Sequence, residues 1–83
     1  MYTLVYHRKE TKGSVIVKSE YASGEFRLKK NALHYLWKVV QNEYLEMGYT
    51  TEVRVGGLYC YQSCKNAQGE RKTVEEWIKI EKY

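Results

Sequence analysis

An α+β fold is predicted here, with an antiparallel sheet of four to five strands and one long amphipathic helix on one face. Three observations predict it. Strand-forming apolar residues cluster near the start, apolar spacing switches to three and four between about Leu28 and Met47, and alternation returns after Gly48. The expected order is β-β-α-β-β-β, with residues 1–83 as a single small α+β domain, because a chain of this size buries only about 60–65 % of its unfolded surface and supports one core.

The first pair of strands is expected at residues 2–8 (YTLVYHR) and 14–18 (SVIVK), joined by a polar KETKG loop carrying Gly13. Period two places Tyr2, Leu4 and Tyr6 on one face, the face expected to be buried, and Thr3, Val5 and His7 on the other. The SEYASGE stretch reads as a polar connector bending at Gly24.

The helix is expected near residues 29–47. Ala32, Leu33, Leu36, Trp37, Val40, Tyr44 and Met47 form its apolar stripe, and Gly48 stops it. Tyr35, Val39 and Leu45 flank the stripe and widen the face, while Lys38, Gln41 and Asn42 mark the wet side.

Beyond the helix, TEVRV-GG-LYCYQS reads as two strands around a Gly56-Gly57 turn, since glycine permits the positive φ of a two-residue hairpin. That turn pairs Val55 with Leu58 and Val53 with Cys60 on one face, and Arg54 with Tyr59 and Glu52 with Tyr61 on the other. One long strand bent at the glycines is the competing reading. KNAQG forms a second loop. TVEEWIKI accommodates either a strand or a helix opened by a Thr73/Glu76 capping box, and the Ile78/Ile80 alternation favours the strand.

Composition narrows the function. The net charge is +4, but residues 1–38 carry eight Lys/Arg against three Glu, whereas residues 39–83 carry six against seven. A basic footprint must therefore draw on the first half, unless folding brings Lys65, Arg71 and Lys72 alongside it. Nine tyrosines supply large amphipathic contact area. The chain lacks proline and aspartate, which leaves only glutamate as a carboxylate for Mg²⁺ or Ca²⁺. No apolar run approaches the roughly 20 residues of a membrane span, and Met1-Tyr2-Thr3-Leu4 leads into a strand rather than a signal peptide. No membrane association and a cytoplasmic location are therefore expected.

No constellation of catalytic groups appears. Cys60 and Cys64 lack the second pair of ligands of a structural zinc site, with His7 and His34 far off in sequence. On one strand the two cysteines stand roughly 13 Å apart at 3.3 Å per residue, too far for a disulfide. His34 has no nucleophile or carboxylate in reach, and Glu75 and Glu76 would point to opposite faces of a strand. No phosphate-loop pattern is present. The expectation is a non-enzyme with no cofactor and no bound metal.

What remains is interleaving of basic and aromatic residues. Arg54, Tyr59 and Tyr61 are expected on an exposed sheet face. His7, Arg8 and Lys9 lie at the first hairpin, with Lys12 in its loop, and Arg27, Lys29 and Lys30 precede and open the helix. Such a surface suits a protein interface, where Tyr and Arg are enriched, or single-stranded nucleic acid, which stacks on aromatics. The RNP consensus, the GXXG loop and zinc-finger ligands are all absent. Mixed rather than massed charge favours the protein partner, because each phosphate contact needs its own cation. In general character the chain resembles the small accessory or inhibitor proteins carried by phages and mobile elements. A homodimer is a natural assembly, since an uncovered tyrosine-rich face or edge strand invites self-pairing.

Overall fold

The structure, a computed structural model, describes residues 1–65 and 67–83. Five strands, β1 (Tyr2–Lys12), β2 (Val15–Phe26), β3 (Thr50–Arg54), β4 (Gly57–Lys65) and β5 (Arg71–Lys82), form one antiparallel sheet in the order β2-β1-β5-β4-β3. The β-β-α-β-β-β order is as the sequence predicts, and β5 is a strand. It lies at the centre of the sheet, where Val74 and Ile78 are buried.

Between β2 and β3 runs a continuous helical rod: α1 (Lys29–Tyr35), a π-helical turn (Leu36–Val40) and α2 (Gln41–Glu46). It crosses the sheet, with α1 over β1, β2 and β5, the π turn over β4 and α2 against β3. The buried helix residues, Ala32, Leu36, Val40 and Tyr44, are spaced by four. At 3.6 residues per turn, each such step overshoots a full turn by about 40°, so an ideal helix would carry the stripe off the sheet. The wider π turn, in which the Gln41 N–H donates to the Leu36 carbonyl, takes up part of that drift. The rod ends in a Schellman arrangement: Gly48, at φ +86°, donates to Leu45 and Tyr49 donates to Tyr44.

The core lies between this rod and one face of the sheet. Leu4, Tyr6, Leu58, Cys60 and Ile78 meet Ala32, Leu36, Val40 and Tyr44, so the Leu4 face is the buried one. Polar contacts fasten the seam. The Trp37 indole donates to the Gly57 carbonyl at 3.0 Å, and the Gln41 amide donates to Thr51 Oγ1 at 3.0 Å. Gln41 therefore belongs to the seam rather than to the wet side.

Several expectations need correction. The first strands do not stop at residue 8 or begin at 14: pairing continues to Lys12↔Val15, leaving Gly13 (φ +59°) and Ser14 as the turn. Arg8, Lys9 and Lys12 are thus strand residues, and His7 is mid-strand. SEYASGE is no connector but the second half of β2; as an edge strand exposed on both faces, it has no need of apolar alternation. The Gly-Gly turn is displaced by one residue, to Val55-Gly56, so Val53 pairs with Leu58 and Thr51 with Cys60. Gly57 enters the strand because it must: an added Cβ would sit 2.5 Å from the Ile78 carbonyl oxygen. The pairing moves by two residues, which preserves faces, but Val55 becomes a fully exposed turn residue and Val53 is 52 % exposed. Neither packs under the helix. The helix face is also narrower than expected, with Tyr35, Val39, Leu45 and Met47 exposed. Of the KNAQG loop, Lys65 ends β4 and Asn66 lies outside the described residues.

Leu36, fully buried at the centre of the rod, tests this packing. Leu36→Ala should cost about 2–5 kcal/mol in denaturant unfolding, whereas Leu45→Ala, on the exposed side, should shift stability by about 0.5 kcal/mol or less.

Candidate binding face

The strand registers define rows of side chains across the face that the helix leaves bare. One row runs through all five strands, Glu52–Tyr59–Trp77–His7–Glu20. Beside it runs Thr50–Tyr61–Glu75–Lys9–Lys18, and on the other side Arg54–Gly57–Lys79–Val5–Ala22. Tyr59 and Trp77 touch, with ring centroids 4.9 Å apart. The Arg54 guanidinium lies 5.3 Å from the Tyr59 ring centre and is held there by a 3.1 Å hydrogen bond to Glu52. At the far end His7 Nδ1 stands 3.3 Å from the Glu20 carboxylate. Trp77 and Tyr61 each remain 37 % exposed. Burial against its neighbours, and secondarily the charge of Glu75, raises the Tyr59 hydroxyl above its ordinary range, so it stays a neutral phenol able to donate a hydrogen bond.

Arg54, Tyr59 and Tyr61 share this face, as their alternation with Val53, Leu58 and Cys60 implies, and His7 and Lys9 join them from β1. Arg8 does not; it points to the helix side. Arg27, Lys29 and Lys30 sit in the β2–helix connection and first helical turn, outside these rows. Sequence reasoning missed Trp77, although the alternation of Ile78 and Ile80 already implied that Trp77 faces the other way. The two cysteines and two histidines are not brought together: Cys60 is buried on the helix side, Cys64 is exposed and both are free, His7 is on the bare face and His34 is exposed on α1. Folding does place Lys72 beside Lys12 and Arg71 beside Lys65 at one end of the sheet.

On the helix side, one step beyond the core, lies Glu76, a second residue the sequence undersold. It is 1 % exposed, and its Oε1 accepts a 3.2 Å hydrogen bond from Arg8, while Oε2 has no partner among the described residues. Arg8 also stands 3.6 Å from Glu10, which in turn holds Lys72 at 2.6 Å. Burial, the largest influence, raises the Glu76 carboxyl above its usual range, and Arg8 pulls it partly back. The hydrogen bond from Lys72 lowers Glu10. The network ties β1 to β5 beyond the reach of the helix. It also accounts for Arg8, which serves the fold rather than the bare face.

Among the described residues, no helix is long and apolar enough to cross a membrane. Comparison of the chain with models of known protein families and with curated proteins found no match.

The Glu76 geometry makes a signed prediction. A carboxyl whose pKa is raised on folding contributes stability that is fully present below its unfolded value and lost as pH rises through the folded one. Glu76→Gln keeps an acceptor for Arg8 and removes the titration. In urea unfolding the variant should gain stability relative to the wild type as pH rises from about 4, the unfolded carboxyl range, through the raised folded value, so a difference flat with pH would refute the assignment.

Proposed function

We propose that this chain is a small non-enzymatic binding protein that occupies the surface of a protein partner with its helix-free sheet face. One observation carries the reading. Tyr59 and Trp77, in mutual contact, lie at the middle of a row that spans the whole sheet on a face with no covering layer. Aromatic side chains in the centre of a patch, ringed by polar groups, are the usual anchors of protein interfaces. The surrounding charge is mixed, with Glu52 and Glu20 ending the row and Arg54, Lys79 and Lys9 flanking it. Carboxylates at both ends of the row would repel a phosphate backbone, while a protein surface offers partners for either sign. An inhibitor acting by occupancy fits this reading, since it needs a face and not a cleft. A cytoplasmic site of action belongs to the same proposal, because a reducing compartment preserves the exposed free thiol of Cys64.

Single-stranded nucleic acid is the second reading, favoured by Lys9 and Lys18, which stand side by side in the row that contains Tyr61. Affinity capture from the native cell, with and without nuclease, separates the two. A protein partner should survive nuclease. Its affinity should fall by about 2 kcal/mol or more, roughly thirtyfold, on Trp77→Ala or Tyr59→Ala, and by about 1 kcal/mol or less on Lys65→Ala at the rim. Capture that is nuclease-sensitive and falls steeply with salt would transfer the face to nucleic acid. Equal capture by the wild type and both aromatic variants would reduce it to an ordinary sheet surface.

A further inference from the structure

The two edges of the sheet differ. β3 is five residues long and backed by α2, whereas β2 is twelve residues long and exposed along its length except at Phe26. Native edge strands are usually short, or protected by proline, bulges or inward-pointing charge. On β2, Val15, Ile16, Val17 and Tyr21 are each half or more exposed. Its protective devices are the charges of Lys18 and Glu20 and, at its far end, an irregularity: the pairing with β1 shifts between Ser23 and Phe26, where Gly24 takes φ +88°. The regular, open edge is therefore Val15–Ser23, and its midpoint is Ser19.

We propose that this edge is a homodimer interface, in which Val15–Ser23 pairs antiparallel with the same segment of a second copy about a two-fold axis through Ser19. Such an axis, normal to the sheet, keeps every residue on its own face and opposes residues equidistant from the centre. Lys18 then faces Glu20 of the partner and Glu20 faces its Lys18, two opposite-charge pairs on the bare face. Val17 meets Tyr21 of the partner on the helix side, twice over, and Ile16 meets Ala22. Centring on Lys18 or on Glu20 would instead set like charges against each other, and centring on Val17 or Tyr21 would use only the ends of the open segment.

The helix permits the arrangement. α1 approaches β2 near its Phe26 end, where Phe26 and Tyr35 lie 5.5 Å apart, and leaves Val15 and Val17 bare at the other. Antiparallel pairing places the bare end of each copy beside the covered end of the other, so the helices do not collide. Tyr21 is already fixed to receive Val17, stacked on Tyr6 with ring centroids 4.6 Å apart. This inference goes beyond the proposed binding face and does not depend on it.

Sedimentation velocity over a concentration series tests the proposal, with circular dichroism confirming that each variant is folded. The wild type should be a reversible dimer. Lys18→Glu and Glu20→Lys should each weaken it by about tenfold or more, because each places like charges at both symmetric pairs. An equal mixture of the two variants should recover dimer, since one then offers two carboxylates opposite two ammonium groups. In a Cys64→Ser background, Ser19→Cys should form an intermolecular disulfide on oxidation, because only the residue on the axis opposes itself. A wild type that is monomeric up to about 1 mM, single variants that dimerise like the wild type, or a mixture that stays monomeric would each overturn the proposal.

Discussion

The structure depends on the insertion of β5 between β1 and β4. The two halves of the sheet, β1 with β2 and β3 with β4, are hairpins built from neighbouring residues, and they share no direct pairing with each other. Among the described residues, β5 alone joins them by strand pairing, through its unbroken register with β1 on one side and β4 on the other. The residues it contributes match that position. Ile78 is fully buried between Tyr6 and Leu58, and Glu76 is buried between Arg8 and Cys60. Its two pairings differ in reach: β5 begins at Arg71, close behind the end of β4 at Lys65, so that pairing is local, whereas pairing with β1 spans most of the chain and carries the larger loop-closure cost.

The helix then sets which parts of its own face of the sheet are dry. Crossing the strands rather than running along them, it covers the rows around Tyr6, Ile78 and Leu58 and leaves the ends of the long strands uncovered. Beyond its edge, apolar packing is replaced by the chain of charges from Glu76 through Arg8 and Glu10 to Lys72. A buried carboxylate with one unpartnered oxygen contributes little net stability, since its desolvation offsets much of its attraction to Arg8. It does fix register: a slip of β5 by one residue would send Glu76 to the bare face and bring Glu75 or Trp77 into the core.

Much of this was legible in the sequence wherever one side of an element is wet and the other dry. Leu4 and Tyr6, the stripe from Ala32 to Tyr44, and the alternation of Leu58 and Cys60 with Tyr59 and Tyr61 all carry that asymmetry, and each was placed on the correct face. Legibility failed where the asymmetry vanishes. β2 beyond Lys18 is wet on both sides and so resembles a connector. The turn at Val55-Gly56 was misplaced because two adjacent glycines offer two equally permissive positions, and only the close approach of Gly57 to Ile78 decides between them. Arg8 and Trp77 show the same limit from the other side. Their roles come from lateral neighbours on distant strands, Glu76 for one and Tyr59 for the other, and lateral neighbours are set by topology that periodicity does not encode.

The two thiols of β4 turn this architecture into its own clock. Cys60 is fully buried under the helix, where burial pushes its pKa up to about 12, while Cys64, two repeats of the pleat further along, is open to solvent. Alkylation proceeds through the thiolate, so Cys64 is modified at once and Cys60 only in molecules whose helix has lifted from the sheet. The mass of a briefly labelled sample therefore counts, molecule by molecule, how many have opened, without any probe added to the chain.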